Sequence, residues 1–112
     1  ITRTLTGAIT PRTKLLLLSH ITSPTGFIMP VERIIRDFAA LGIDTLLDSA
    51  HAPAFLDLNV RGILPPDGPA YVTGNFHKWL SAPKGSAFLY VREDRRHLID
   101  PLTTSHGYNA TR

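Results

Sequence analysis

The sequence predicts an α/β fold, a mostly parallel sheet with flanking helices, and three observations carry that prediction. Lys14–His20 contains the uninterrupted apolar run Leu15-Leu16-Leu17-Leu18. Pro30–Gly42 repeats its apolar residues at three- and four-residue steps, and Ile43–Ala50 returns at once to a strand-sized apolar run. Strand, loop, helix, short turn and strand form a βαβ unit, whose two strands lie parallel with a right-handed crossover.

The elements follow in chain order. Ile1–Arg12 carries four Thr and a Pro without a clear period, so no element is assigned there. The Leu15–Leu18 run is the pattern of a strand covered on both faces. Pro11 before it, and Ser19, Thr22, Ser23, Pro24, Thr25 and Gly26 after it, are turn residues that favour a strand over a short buried helix. Pro30 suits a first helical position, where its missing N–H costs nothing. Val31, Ile34, Ile35, Phe38 and Leu41 then share one helical face, with Glu32, Arg33, Arg36 and Asp37 opposite. Gly42 is placed to take the left-handed conformation that ends the helix.

Beyond the second strand, Ala52–Pro69 is dense in turn residues: Pro53, Gly62, Pro65, Pro66, Gly68 and Pro69. Tyr71–Phe76 reads as a third strand and Ala87–Arg92 as a fourth. The segment between them is too short for a crossover helix, so the fourth strand is expected to run antiparallel. The tail, Glu93–Arg112, is polar and reads as a helix start or an irregular end.

Composition narrows the function classes. A 43% hydrophobic and 19% charged chain of 112 residues is globular, with room for one modest core. No run approaches the ~18 apolar residues of a membrane span. The net charge of +3 is too small to argue for nucleic acid. With no Cys, the chain holds neither a disulfide framework nor thiolate metal ligands, which suits a reducing, cytoplasmic setting. It opens on Ile1 rather than Met, and is expected to be a piece of something longer.

The chemistry collects at strand ends. In open parallel sheets, ligands bind outside the carboxyl ends of the strands. The first strand ends in Ser19-His20 and runs into Thr22-Ser23, the second ends in Asp48 and His51, and the third in Asn75, His77 and Lys78. Parallel strands would bring all three sets to one edge. Taken singly, each has an ordinary explanation: an Asp or His capping a loop, a Lys as a solvated charge. Gathered at one edge, they are the kind of constellation that builds a site.

Two chemistries fit those residues. His20, Asp48, His51 and His77 are nitrogen and oxygen ligands for a metal-dependent hydrolase, although no local His pair fixes two of them on one element. Alternatively, Lys78 supplies an amine for a Schiff base, and Asp48 an acid partner for a heteroaromatic nitrogen acting as electron sink. Of the three lysines, Lys14 begins a strand and so lies at the wrong edge, and Lys84 sits in a Pro-Lys-Gly turn. A third reading is a non-catalytic α/β module whose strand-end polar residues only satisfy backbone groups. Dinucleotide, P-loop and hydrolase-elbow motifs are absent.

Three segments in order resemble a known family. They are Ser19-His20-Ile21-Thr22-Ser23-Pro24-Thr25-Gly26, Leu47-Asp48-Ser49-Ala50-His51-Ala52-Pro53, and Gly74-Asn75-Phe76-His77-Lys78-Trp79 continuing through Pro83-Lys84-Gly85-Ser86-Ala87-Phe88-Leu89. Together they resemble the pyridoxal-phosphate enzymes of aminotransferase class V, above all the isopenicillin N epimerase-like branch, which is similar in turn to cysteine desulfurases. The likeness runs from about Lys14 to Asn109.

The resemblance implies the central part of the large, cofactor-binding domain of a fold-type I enzyme, occupying residues 1–112, with an N-terminal part and a C-terminal small domain outside it. It implies pyridoxal 5′-phosphate as cofactor, with Lys78 forming the Schiff base. His77 and Asn75 would contact the phosphate, Asp48 the pyridine nitrogen, and His51 and Ser23 the region of the ring hydroxyl. It further implies an amino-acid substrate attacked at its α-carbon and a homodimer when full length. Desulfurase chemistry is disfavoured, because it uses a mobile Cys and this segment has none.

Overall fold

A computed structural model of the chain describes residues 1–57 and 68–104. Four strands form one sheet in the order β1 (Leu15–Ser19), β2 (Asp44–Asp48), β3 (Tyr71–Asn75) and β4 (Ala87–Val91). The first three are parallel and β4 is antiparallel to β3, as the short link predicts. Ser19 pairs with Asp48, and Asp48 with Thr73, so the carboxyl ends of the three parallel strands stand in one row.

Helix α2 (Val31–Ala39) follows β1 and packs over β2. Its buried residues are Val31, Ile34, Ile35 and Phe38, which is the predicted face. Leu41 departs from the prediction and stands 57% exposed. The helix has already ended at Ala39, so Leu41 no longer follows the helical period. Gly42 takes the expected left-handed conformation, φ +71°, which turns the chain directly into β2. Pro30 caps the helix rather than opening it.

The core lies on one side of the sheet. Leu18, Ile43, Leu47 and Val72 pack beneath the α2 residues, with Leu5, Ile9, Leu16, Met29, Phe88 and Tyr90 at the margin. Leu5 belongs to a short helix, α1 (Thr2–Gly7), that no periodicity announced. The opposite face carries Leu15 at 47%, Leu17 at 68% and Leu89 at 54% exposure. The prediction that the Leu15–Leu18 strand is covered on both faces is therefore corrected. In this chain β1 is an edge strand, and the helix that packs on the sheet lies on one face only.

A polar clamp closes the other end of the sheet. Arg95 Nε donates to Asp44 Oδ2 at 2.7 Å and Arg92 Nη2 to Asp44 Oδ1 at 3.3 Å. Arg92 also donates to Asp94 Oδ1 at 2.6 Å and to the Gly68 carbonyl at 2.7 Å. These bonds fasten the 3₁₀ turn Glu93–Leu98, the start of the polar tail, beneath the first residue of β2. The rest of the predicted tail from position 105, and positions 58–67 of the turn-rich stretch, lie outside the described residues. Among the described residues no helix is long and apolar enough to cross a membrane.

Candidate active site

Period-two alternation along β2 decides which way each side chain faces. Ile43, Thr45, Leu47 and Ser49 fall on the buried side, leaving Asp48 half-buried toward the other face. The Asp48 carboxylate is held in a local turn, its Oδ1 accepting the Ala50 N–H at 2.9 Å. The chain then bends away from the sheet through Ala52 N–H to the Ser49 carbonyl, 3.0 Å, and this turn carries His51.

Lys78 arrives from the loop after β3. That loop is tied by Phe76 N–H to the Ser86 carbonyl and by Ala82 N–H to the Phe76 carbonyl, both at 3.0 Å. Lys78 Nζ lies 3.0 Å from His51 Nε2. Trp79 stands beside them, 6.4 Å from the His51 ring and 5.2 Å from Phe55 between ring centroids. His51, Lys78 and Trp79 line an open cleft of about 340 Å³. Ala54 and Ser81, three residues after His51 and Lys78 respectively, have φ of +64° and +54°. They are the non-glycine residues in the left-handed region among those described, and such strain collects around functional segments.

The remaining predicted residues are placed less uniformly. His77 turns its Nδ1 to the Ser86 carbonyl at 3.3 Å. Asn75 closes β3 opposite Ala87 and is half-buried. Ser23 is exposed in the turn between Thr22 and Phe27, where the Thr22 hydroxyl makes the turn's hydrogen bonds. His20 does not face the cleft: it is 5% exposed, and its Nδ1 meets Ser49 Oγ at 3.2 Å. Burial holds the His20 imidazole below its ordinary pKa, opposed in part by the Glu32 carboxylate.

The metal reading is corrected by the same geometry. Among the described residues no three His, Asp or Glu side chains converge as a ligand set. His20 is buried against Ser49, while His51 is engaged with Lys78 and His77 with a backbone carbonyl. Imidazoles committed to separate partners do not share an ion.

Two residues escaped the sequence reading of the site. Trp79 is adjacent to Lys78 in sequence, and a Trp at a strand-end loop beside a candidate Lys was the available signal. Ser49, 1% exposed, lies between Asp48 and His51, and its inward placement was readable from the β2 alternation.

Comparison with known proteins gives a consistent picture. The chain matches the family model described as aminotransferase class-V over residues 2–111. It is 42% identical to isopenicillin N epimerase of Amycolatopsis lactamdurans over 103 residues, which is 92% of this chain and 25% of that protein. The isopenicillin N epimerase of Streptomyces clavuligerus is 41% identical over 108 residues, 96% of this chain and 26% of that protein. Among solved structures, SspA in complex with cysteine matches with a TM-score of 0.78 at 26% identity, covering 96% of this chain and 30% of that one. The chain spans about a quarter of the length of the curated relatives it matches.

Proposed function

Because this chain belongs to the aminotransferase class V family, we propose that it carries the lysine half of a pyridoxal 5′-phosphate site acting at the α-carbon of an amino acid. Its mixed α/β sheet is that of fold-type I enzymes. The single observation that carries the reading is the Lys78 Nζ to His51 Nε2 contact of 3.0 Å, in an open cleft lined by His51, Lys78 and Trp79, with His51 three residues beyond the point where β2 ends in Asp48.

The residues present fit the cofactor by their chemistry. An amine, a carboxylate and several hydrogen-bonding groups project from the carboxyl ends of parallel strands, where such sheets bind ligands. Pyridoxal 5′-phosphate, when bound, supplies an electron sink for the bond broken at the substrate α-carbon. Asp48 holds a proton at the pyridine nitrogen by charge and hydrogen bonding. His77 and Asn75 hold the phosphate, and Ser23 and His51 the ring hydroxyl side. A lysine amine reacts with a carbonyl only after losing its proton. His51 Nε2 is the base within reach of Lys78 Nζ. The free Lys78 amine would be the group that moves the proton of the substrate α-carbon. The reaction type proposed is that of an epimerase or an aminotransferase.

Residues 1–112 are proposed as the central part of a large cofactor-binding domain in an enzyme that works as a homodimer. The quarter-length match to the relatives and the exposed apolar outer face of the sheet support this. The test is borohydride reduction of the full chain after incubation with pyridoxal 5′-phosphate, followed by peptide mapping. The expected result is a label on Lys78 that is lost in Lys78→Ala. A label elsewhere, or none, overturns the proposal.

A further inference from the structure

His20 is a buried titratable group that the proposed reaction leaves idle, and its bonds converge on the segment that carries Asp48 and His51. Its backbone N–H donates to the Asp48 carbonyl at 2.8 Å, and its own carbonyl accepts the Met29 N–H at 2.9 Å on the approach to α2. Its Nδ1 meets Ser49 Oγ at 3.2 Å, across 29 positions of sequence. Ser49 in turn anchors both neighbours. Its N–H donates to the Thr73 carbonyl at 2.8 Å, and its carbonyl accepts the Ala52 N–H at 3.0 Å, closing the turn that presents His51.

We infer that His20 is a positioning residue which, through Ser49, fixes the outward aim of Asp48 and the place of His51 opposite Lys78. The inference rests on the proposed cofactor site. Its physical basis is the alternation of β2: with the Ser49 side chain pinned inward, the Asp48 side chain is forced to the opposite face. Both members of the pair are nearly dry, His20 at 5% and Ser49 at 1% exposure. Releasing either leaves a buried polar atom unpaired, a cost that favours keeping the bond.

The experiment uses the full chain with His20→Leu, His20→Asn, Ser49→Ala and the His20→Leu/Ser49→Ala double variant. In cofactor-free protein, NMR reads the His20 ring nitrogens and the backbone amides of Asp48–His51. Titration with pyridoxal 5′-phosphate reads the dissociation constant and the absorption maximum of the bound form. Ser49→Ala is expected to shift the His20 Nδ1 resonance and the Asp48 and His51 amides. His20→Leu and Ser49→Ala are each expected to weaken cofactor binding about tenfold and to move the absorption maximum, and the double variant about tenfold in total. His20→Asn, whose amide reaches the Nδ1 position, is expected to stay near wild type.

Unshifted Asp48 and His51 amides in Ser49→Ala overturn the inference, as does unchanged affinity in that variant or effects that multiply in the double variant. Should His20→Leu not fold, Ser49→Ala and His20→Asn decide the matter alone. No capture of cofactor by wild-type Lys78 overturns the proposed function and this role with it. Capture without coupling between His20 and Ser49 overturns this role only.

Discussion

Lys78 Nζ and His51 Nε2 meet at 3.0 Å although 27 positions separate them, and the contact joins the loop after β3 to the turn after β2. Parallel strands make it possible, because both segments leave the sheet from the same end. An amine facing an imidazole is a proton donor beside an acceptor.

Removing the acceptor should slow the amine's chemistry more than it harms the fold. His51→Ala is expected to reduce the rate of cofactor capture at Lys78 about a hundredfold. Stopped-flow absorbance on mixing with pyridoxal 5′-phosphate reads this rate, and a rate equal to wild type counts against proton transfer to His51.

Asp48→Asn separates the charge of this residue from its local geometry. The amide oxygen still accepts from the Ala50 N–H, so the turn is kept. The negative charge opposite the proposed pyridine nitrogen is lost. Turnover is expected to fall about 10- to 100-fold, the worth of one charge-assisted hydrogen bond, with thermal stability close to wild type. Equal losses of stability and activity would instead place Asp48 in the fold alone.

Gly74→Ala tests a close approach rather than a turn. A Cβ at Gly74 would stand 2.6 Å from Cζ of Phe88, whose ring is stacked on Phe76 at 5.2 Å. The ring has to shift along with its partner, so unfolding free energy should fall by about 1–3 kcal/mol. Denaturant titration measures it, and an unchanged midpoint would show the pair to be loosely seated.

Acid should weaken the fold through His20. Burial depresses its pKa below the ordinary 6.5, with the Glu32 carboxylate opposing the shift. Between that lowered value and 6.5 the unfolded chain binds more protons than the folded one. Stability is therefore full above 6.5 and declines as pH falls toward the folded value. Thermal midpoints compared from pH 7 down to about 4.5 should show a shallower decline in His20→Asn than in wild type.

Much of the fold was legible because its signals are local. The apolar spacing from Val31 to Phe38, ended by Gly42, specified α2, and the short link after Asn75 specified an antiparallel β4. Leu41 and α1 were misread or missed. Near a helix end the period stops constraining side chains, and a six-residue helix is too short to display one. At the site, the strand-end position of Asp48 and Lys78 was legible, but His20 was grouped with ligands that it does not face.

The sequence by itself determined the βαβ order, the polar strand ends and the family, since spacing and residue type are properties of the chain. Only the tertiary structure decided that Leu17 lies open while Leu18 is buried, that His51 meets Lys78, and that His20 turns inward to Ser49. Those outcomes depend on which face of the sheet the helix covers and on the register that sets Ser19, Asp48 and Thr73 side by side. Both are non-local, because each strand's neighbours are fixed by packing and hydrogen bonding between segments distant in sequence.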